Sequence, residues 1–339
     1  MDPLPLADRK TGPASPGPWQ VLSFLAPPVR DILARLSPEA WSQLEEIRLR
    51  QNRPLMVNLS WGDTFVDPGG RPIPSAAGAY LVTAEDMKRT LELMSNCSIY
   101  SLEEELRQGF ITLPGGHRVG LAGKAVLEGG RIRTLKYITG LNLRIARELP
   151  GVADKVMPYV INQREGNLYH TLIVSPPRGG KTTLLRDMVR QISWGIPSLG
   201  LPGRRVGLVD ERSEIAGSYA GVPQKDLGPR TDILDGCPKA EGMMMLIRSM
   251  SPQVIATDEL GREEDVFALE EALHAGVKLL TTVHGHNLAD LRQRPILARI
   301  LGRKIFERIV FLGFSLGVGT LEGVFDGQTY SAILAKPLR

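Results

Sequence analysis

The sequence predicts an α/β chain: a core built on a mostly parallel sheet, preceded by a smaller α+β region. Three observations carry that prediction. From about residue 168 onward, short β-rich runs alternate with helical stretches, which is the pattern of parallel strands covered on both faces. Before residue 150, alternating runs instead meet across short turns, as hairpin strands do. Finally, the apolar run "YHTLIVS" passes through a small-residue turn into Lys181-Thr182 and a helical pattern.

Bulk properties exclude several classes. A length of 339 residues suits two domains, and 42% apolar with 23% charged residues is ordinary for a globular protein. The net charge of +4, from 41 basic and 37 acidic residues, is too small an excess to argue for nucleic acid or anionic lipid. Cys97 and Cys237 supply neither a disulfide framework nor a metal-site spacing, and they fit a reducing cytoplasm. No apolar run reaches the length of a membrane span. The longest near the C-terminus, "IVFLGFSLGVG" (309–319), is broken by glycines and reads as strand, turn and strand. The start of the chain lacks the basic and apolar blocks of a signal peptide, and its Pro/Gly content predicts a flexible tail over 1–20.

In chain order, residues 29–36 place Val29, Ile32, Leu33 and Leu36 at helical spacing. Residues 45–66 alternate as strands, with "QNRP" as the turn between Leu49 and Leu55. Thr83 followed by Asp86 predicts an N-cap for a helix over 83–95. Residues 101–127 read as helix, strand, Gly-Gly turn and strand, and 132–149 as a further basic strand. These make an α+β domain over 21–150. A connector helix is expected over 150–167, leading into a second, α/β domain that spans 151–339. Its strands are "YHTLIVS", "VGLVDE", "QVIATDE" and "VKLLTTVH", and its helices "TTLLRDMVRQIS", "AEGMMMLIRSM" and "EEDVFALEEALHAG".

The chemistry concentrates at the ends of those strands. A polyphosphate needs several backbone N–H groups in a turn that side chains do not obstruct, followed by the positive end of a helix. Pro177, Arg178, Gly179 and Gly180 form such a turn before Lys181, Thr182 and Thr183. The P-loop pattern wants glycine where this chain has Ser175. Serine costs something there if the position demands positive φ, and fits if it is a tight strand exit. Lys181 is the residue to reach the β- and γ-phosphates of ATP, and the Thr182 hydroxyl is suited to Mg²⁺. A Gly-Lys-Thr also arises by chance; the flanking strand and helix argue against chance here.

A second strand ends in Asp258-Glu259. Asp258 is placed to hold Mg²⁺ through water, and Glu259 to accept a proton from the attacking water. A third strand, set between these two, carries Thr281, Thr282 and His284 toward the γ-phosphate. A single histidine is often only a satisfied structural residue, but its place at a strand end favours a nucleotide-sensing role for His284. Asp210, Glu211 and Glu214 follow a further strand and are either metal-facing or a solvated acidic loop.

Several linked segments resemble one family. "SPPRGGKTTLLRD", "VDERSEIAG", "MSPQVIATDELG" and "TTVHGHN" occur in the order and spacing of the stage III sporulation protein AA family. Upstream, "EEIRLRQNRPLMV", "SLEEELRQGFITLPGGHRVGLAGKAV" and "LNLRIARELPG" look like its N-terminal domain, so the resemblance covers about 40 to 335. It departs at Ser175 and at Arg178-Gly179. The resemblance implies a RecA-like P-loop NTPase core similar to the hexameric ATPases of type II and type IV secretion and pilus systems. It implies ATP and Mg²⁺ as cofactors and a homohexamer. It places the chain in the cytoplasm of the mother cell of a sporulating bacterium. There it would act at the cytoplasmic face of a membrane-protein complex that faces the forespore. Asp210–Glu214 would match the acidic box of the secretion ATPases, and His284 their histidine box. A ring of this kind needs cations delivered to the γ-phosphate from another domain or chain, for which Arg118, Arg144 and Arg147 are the candidates.

Two other classes compete. Arg292, Arg294, Arg299, Arg303, Lys304 and Arg308 could form a basic stripe for nucleic acid, but Pro295 and Gly302 interrupt it and few aromatics accompany it. A nucleic-acid partner is therefore not expected. A scaffold without turnover would explain Ser175, but intact Lys181, Thr182, Asp258 and Glu259 argue against it.

Overall fold

The computed structural model describes residues 18–95 and 103–338. The chain divides into two compact units, Met1–Arg147 and Glu148–Arg339. Residues 1–17 of the flexible tail expected over 1–20 lie outside the described residues, as do Cys97 and residues 101 and 102 of the helix expected after it.

The first unit carries a seven-stranded sheet in which every neighbouring pair is antiparallel. Its order is Pro72–Ile73, Gly62–Val66, Met56–Leu59, Leu44–Arg50, Arg131–Arg144, His117–Glu128, Phe110–Leu113. The turn at "QNRP" joins antiparallel neighbours, as its residues suggested. Helix Ala84–Met94 begins with a complete capping box between Thr83 and Asp86. Val29, Leu33, Trp41, Ile47, Leu49, Val57, Met87, Val119 and Leu143 close one core. Folded structure begins earlier than the expected tail boundary. A 3-10 helix covers Pro18–Phe24, buries Val21 and sets the Trp19 ring 4.4 Å from that of Trp41.

The second unit holds an eight-stranded sheet. Its order is Thr231–Asp235, Val206–Asp210, Val254–Thr257, Lys278–His284, Thr171–Ser175, Arg308–Gly313, Thr320–Asp326, Ala332–Leu334. The first six run parallel; Thr320–Asp326 returns antiparallel, and Ala332–Leu334 pairs antiparallel to it. Every residue of Thr171–Ser175, Val206–Asp210 and Val254–Thr257 is buried, because helices cover both faces. Helix Lys181–Trp194 turns Leu184, Leu185, Met188, Val189 and Ile192 inward at helical spacing and stops at Gly195. Full burial of each such aliphatic side chain is worth about 1.5–3 kcal/mol. As expected, 309–319 is the end of one strand and the turn into its antiparallel partner.

One expectation fails here. The connector over 150–167 is not one helix: a single short helix, Met157–Val160, is followed by an Ile161–Asn162/Asn167–Leu168 hairpin. Pro150-Gly151 and "NQREGN" are turn-forming, and Pro158 is tolerated only because it lies in the first turn. The basic stretch 291–309 is interrupted at Pro295 and Gly302, as its residues suggested: two short helices, Leu288–Gln293 and Pro295–Gly302, lead into a strand. Four of its cations are matched within the unit: Arg294 with Asp290, Arg299 with Glu263, Arg303 with Glu270 and Arg308 with Asp326. Arg292 stacks over the Tyr330 ring. Charges neutralised in this way are poorly suited to a phosphate backbone.

Candidate active site

The carboxyl ends of the central parallel strands bring the sequence's three motifs together. Lys278–His284 lies between Thr171–Ser175 and Val254–Thr257, where it was expected. Parallel register pairs Ser175 with His284 and Thr257 with Thr281. Alternation along the strand then sends Thr282 and His284 to one face and Thr281 to the other.

The turn after Thr171–Ser175 is bare of obstructing side chains by construction. A Cβ on Gly179 would lie 2.0 Å from Ser175 Oγ, so any other residue would have to displace the serine hydroxyl. Gly180 sits at φ 91 as the N-cap of helix Lys181–Trp194, and no side chain caps that end. The first N–H groups of the helix therefore point out of it without an intrahelical acceptor. Ser175 is an ordinary strand residue whose hydroxyl donates to the Pro176 carbonyl at 2.9 Å. Besides Gly180, the position at positive φ in this turn is Arg178, at 61°, an exposed residue flanked by exposed Pro177. Thr182 and Thr183 are half-buried at the start of the helix. Thr183 also lines a cleft with Glu148, Pro150, Arg186 and Arg190.

Lys181 is buried and reaches His284, its Nζ 2.8 Å from Nδ1. His284 Nε2 in turn lies 2.6 Å from Glu259 Oε1. An ammonium can only donate, so Nδ1 accepts and the ring proton on Nε2 faces Glu259. Glu259 is anchored through its own N–H, which donates to Thr282 Oγ1 at 3.0 Å, and its backbone stands at φ 37. Burial lowers the pKa of Lys181 from its ordinary value, against the pull of Glu259, Asp258 and Glu214. Asp258 is raised to about 6, first by burial and then by Asp210, with Glu259 and Glu214 adding and Lys239 opposing.

The acidic segment is structural as well as charged. The Asp210 carboxylate is buried and accepts the N–H groups of Glu214, Ile215 and Ala216 at 2.9, 2.9 and 2.8 Å. Burial still raises its pKa. Glu211 pairs with Lys239 at 2.6 Å, and Arg212 with Glu259 Oε2 at 3.0 Å. Sequence reasoning passed over Lys239 and Arg212. Arg212 stood inside "VDERSEIAG", but no motif assigns it, and only the tertiary fold shows what it meets.

The three candidate arginines lie in the first unit. Arg118 stacks 3.6 Å above the Phe110 ring and Arg144 lies 3.5 Å from Glu46. Arg147 donates to the carbonyls of Trp41, Ser42 and Leu44, closing the end of helix Pro38–Gln43, which is a structural task.

The ATPase DotB of Yersinia pseudotuberculosis superposes with a TM-score of 0.51 at 15% identity, covering 79% of this chain and 70% of that one. DotB of Legionella pneumophila gives 0.50 at 16%, covering 79% and 72%. The RecA-like α/β architecture is thus the fold. Stage III sporulation protein AA of Bacillus subtilis is 43% identical over 307 residues, 91% of this chain and 94% of that protein. The profile of the family described as "Sporulation stage III, protein AA" matches residues 18–331. The chain belongs to the stage III sporulation protein AA family.

Proposed function

We propose that the chain is a Mg²⁺-dependent ATPase that works as a homohexameric motor. In this reading it sits at the cytoplasmic face of a membrane-protein complex between mother cell and forespore. One observation carries the enzymatic part: the Lys181–His284–Glu259 chain, which ties the phosphate turn to the Asp-Glu strand through the strand between them.

The residues present fit ATP and Mg²⁺. Gly179 leaves the turn's backbone open, and the helix after it is uncapped. A buried Asp258 raised to about 6 beside other carboxylates is a group that a divalent cation would stabilise as the anion. Asp258 and the Thr182 hydroxyl would hold the ion, which when bound neutralises phosphate charge. Lys181 exchanges His284 for the β- and γ-phosphates. Glu259 takes the proton of the attacking water, and His284 reports whether Lys181 has moved. Arg118 or Arg144 supplies the cation from a neighbouring subunit.

The test is steady-state ATP hydrolysis with Mg²⁺ by the full chain and by Glu259→Gln. The variant should bind ATP normally and lose at least about 100-fold in kcat. Equal turnover in the variant removes Glu259 as the base. Neither binding nor turnover in the wild type would leave a scaffold as the better reading.

A further inference from the structure

Glu259 is held from both sides by its own chain. His284 Nε2 lies 2.6 Å from Oε1 and Arg212 Nη1 3.0 Å from Oε2. The backbone that presents Arg212 is fixed on its far side. Buried Asp210 ties down the N–H groups of Glu214, Ile215 and Ala216, and the Arg186 guanidinium binds the carbonyls of Ile215 and Glu214, each at 2.6 Å. Ser213, the next residue, takes φ 53, which commits the turn to one path. Glu259 itself occupies φ 37, a conformation a non-glycine residue keeps only when its surroundings over-determine it.

We propose that Arg212 is a positioning residue that acts with His284 as a two-point clamp on Glu259, fixing the plane of its carboxylate toward the attacking water. The proposal rests on the ATPase reading above. A carboxylate offers about four acceptor sites, so a clamp on one site of each oxygen leaves others for the water's proton. The clamp therefore orients the base without blocking it. Arg212 is 58% exposed, so solvent screens its charge and the benefit is geometric. Geometry matters at this place because a base displaced by about 1 Å can lose roughly 100-fold in rate.

The test compares the full chain with Arg212→Ala and Arg212→Lys, reading kcat and KM for Mg·ATP, and Kd for a fluorescent ATP analogue. Arg212→Ala should lower kcat about tenfold or more while KM and Kd stay within about twofold, and Arg212→Lys should recover part of kcat. A higher Kd with unchanged kcat would make Arg212 a phosphate ligand and overturn the clamp. A higher kcat would make it an inhibitory latch, and no change at all would leave it no role; both also overturn the proposal. Should the purified wild type bind ATP without turning it over, melting midpoints of Arg212→Ala, Glu259→Gln and the double variant decide. Non-additive shifts sustain the clamp and additive ones overturn it. Failure of the ATPase reading is a separate result, a wild type that neither binds nor hydrolyses ATP.

Discussion

Two groups of histidine, lysine and glutamate occupy opposite ends of the same two neighbouring strands. At the amino ends, Lys278 Nζ lies 3.1 Å from Glu307 Oε2, which also accepts the His170 N–H at 2.8 Å. His170 Nδ1 accepts the N–H of Leu279 at 3.2 Å. Burial, helped by Lys278 and opposed by Glu307, brings His170 down to about 4, so it is neutral at physiological pH. At the carboxyl ends, His284 instead joins the side chains of Lys181 and Glu259. The residue types match, but the partners differ. The lower group is satisfied largely by backbone and holds strands in place. The upper group is built from side chains of different elements beside an uncapped helix, with carboxylates in excess. Parallel strands put helix N-termini and loops at their carboxyl ends, so a ligand can be met there. A lone histidine in the sequence does not say which end it serves.

The largest expected effect breaks this comparison at the upper end. Lys181→Ala should weaken ATP binding about 100-fold or more, as read by titration calorimetry. Two lost charge-assisted hydrogen bonds to phosphate, at about 1.5 kcal/mol each, amount to that factor. Lys278→Ala, at the lower end, should leave the affinity unchanged. A similar loss in both would mean that the lysines act through stability, and the contrast between the two ends would collapse.

Next in size are opposite responses to pH. Asp258 is raised from 3.8 to about 6, so the folded chain binds the extra proton between those values, and this group's contribution falls as pH rises through 6. Asp258→Asn should therefore raise the melting midpoint of the metal-free protein at pH 7, by about 2–4 °C for each kcal/mol gained. It should also abolish any further rise on adding Mg²⁺ with ATP. His170 is lowered from 6.5 to about 4, so the unfolded chain binds the extra proton, and its contribution is full above 6.5 and lost as pH falls toward 4. Replacing His170 by Asn should flatten the rise of the melting midpoint between pH 4 and 6.5, with ATP affinity untouched. A slope unchanged by the replacement would remove His170 as its source.

Much of this was legible in the sequence, for physical reasons that differ by element. Four of the inner strands, Thr171–Ser175, Val206–Asp210, Val254–Thr257 and Lys278–His284, announce themselves as apolar runs because both of their faces are buried. Thr231–Asp235 does not: it is an edge strand, half-buried until exposed Asp235, and "TDILD" carries too little apolar signal. The Thr83/Asp86 capping box is local, so it could be read directly, whereas the connector's hairpin depends on the core it lies against. Lys181, Asp258, Glu259 and His284 could be singled out because phosphate chemistry prescribes residue types at strand ends. Arg212 and Lys239 were missed because their roles consist only of partners distant in sequence.

The smallest expected effect concerns Ser175, where the P-loop pattern is broken. Glycine would be needed only if this backbone required positive φ or close approach, and Ser175 is instead a buried strand residue in register with His284. The demand for glycine has moved to Gly179, whose missing Cβ accommodates the serine hydroxyl. Ser175→Gly should thus leave ATP affinity within about twofold and lower stability by about 0.5–1 kcal/mol, the cost of glycine in a strand. Gly179→Ala should damage binding far more, because its Cβ would lie 2.0 Å from Ser175 Oγ. The two sites are coupled by that contact, so Gly179→Ala should be partly rescued when Ser175→Gly is added. Calorimetric titration of the two single variants and the double variant measures the coupling. Simple additivity would mean that the serine is not what Gly179 makes room for, and the broken motif would then need another compensation.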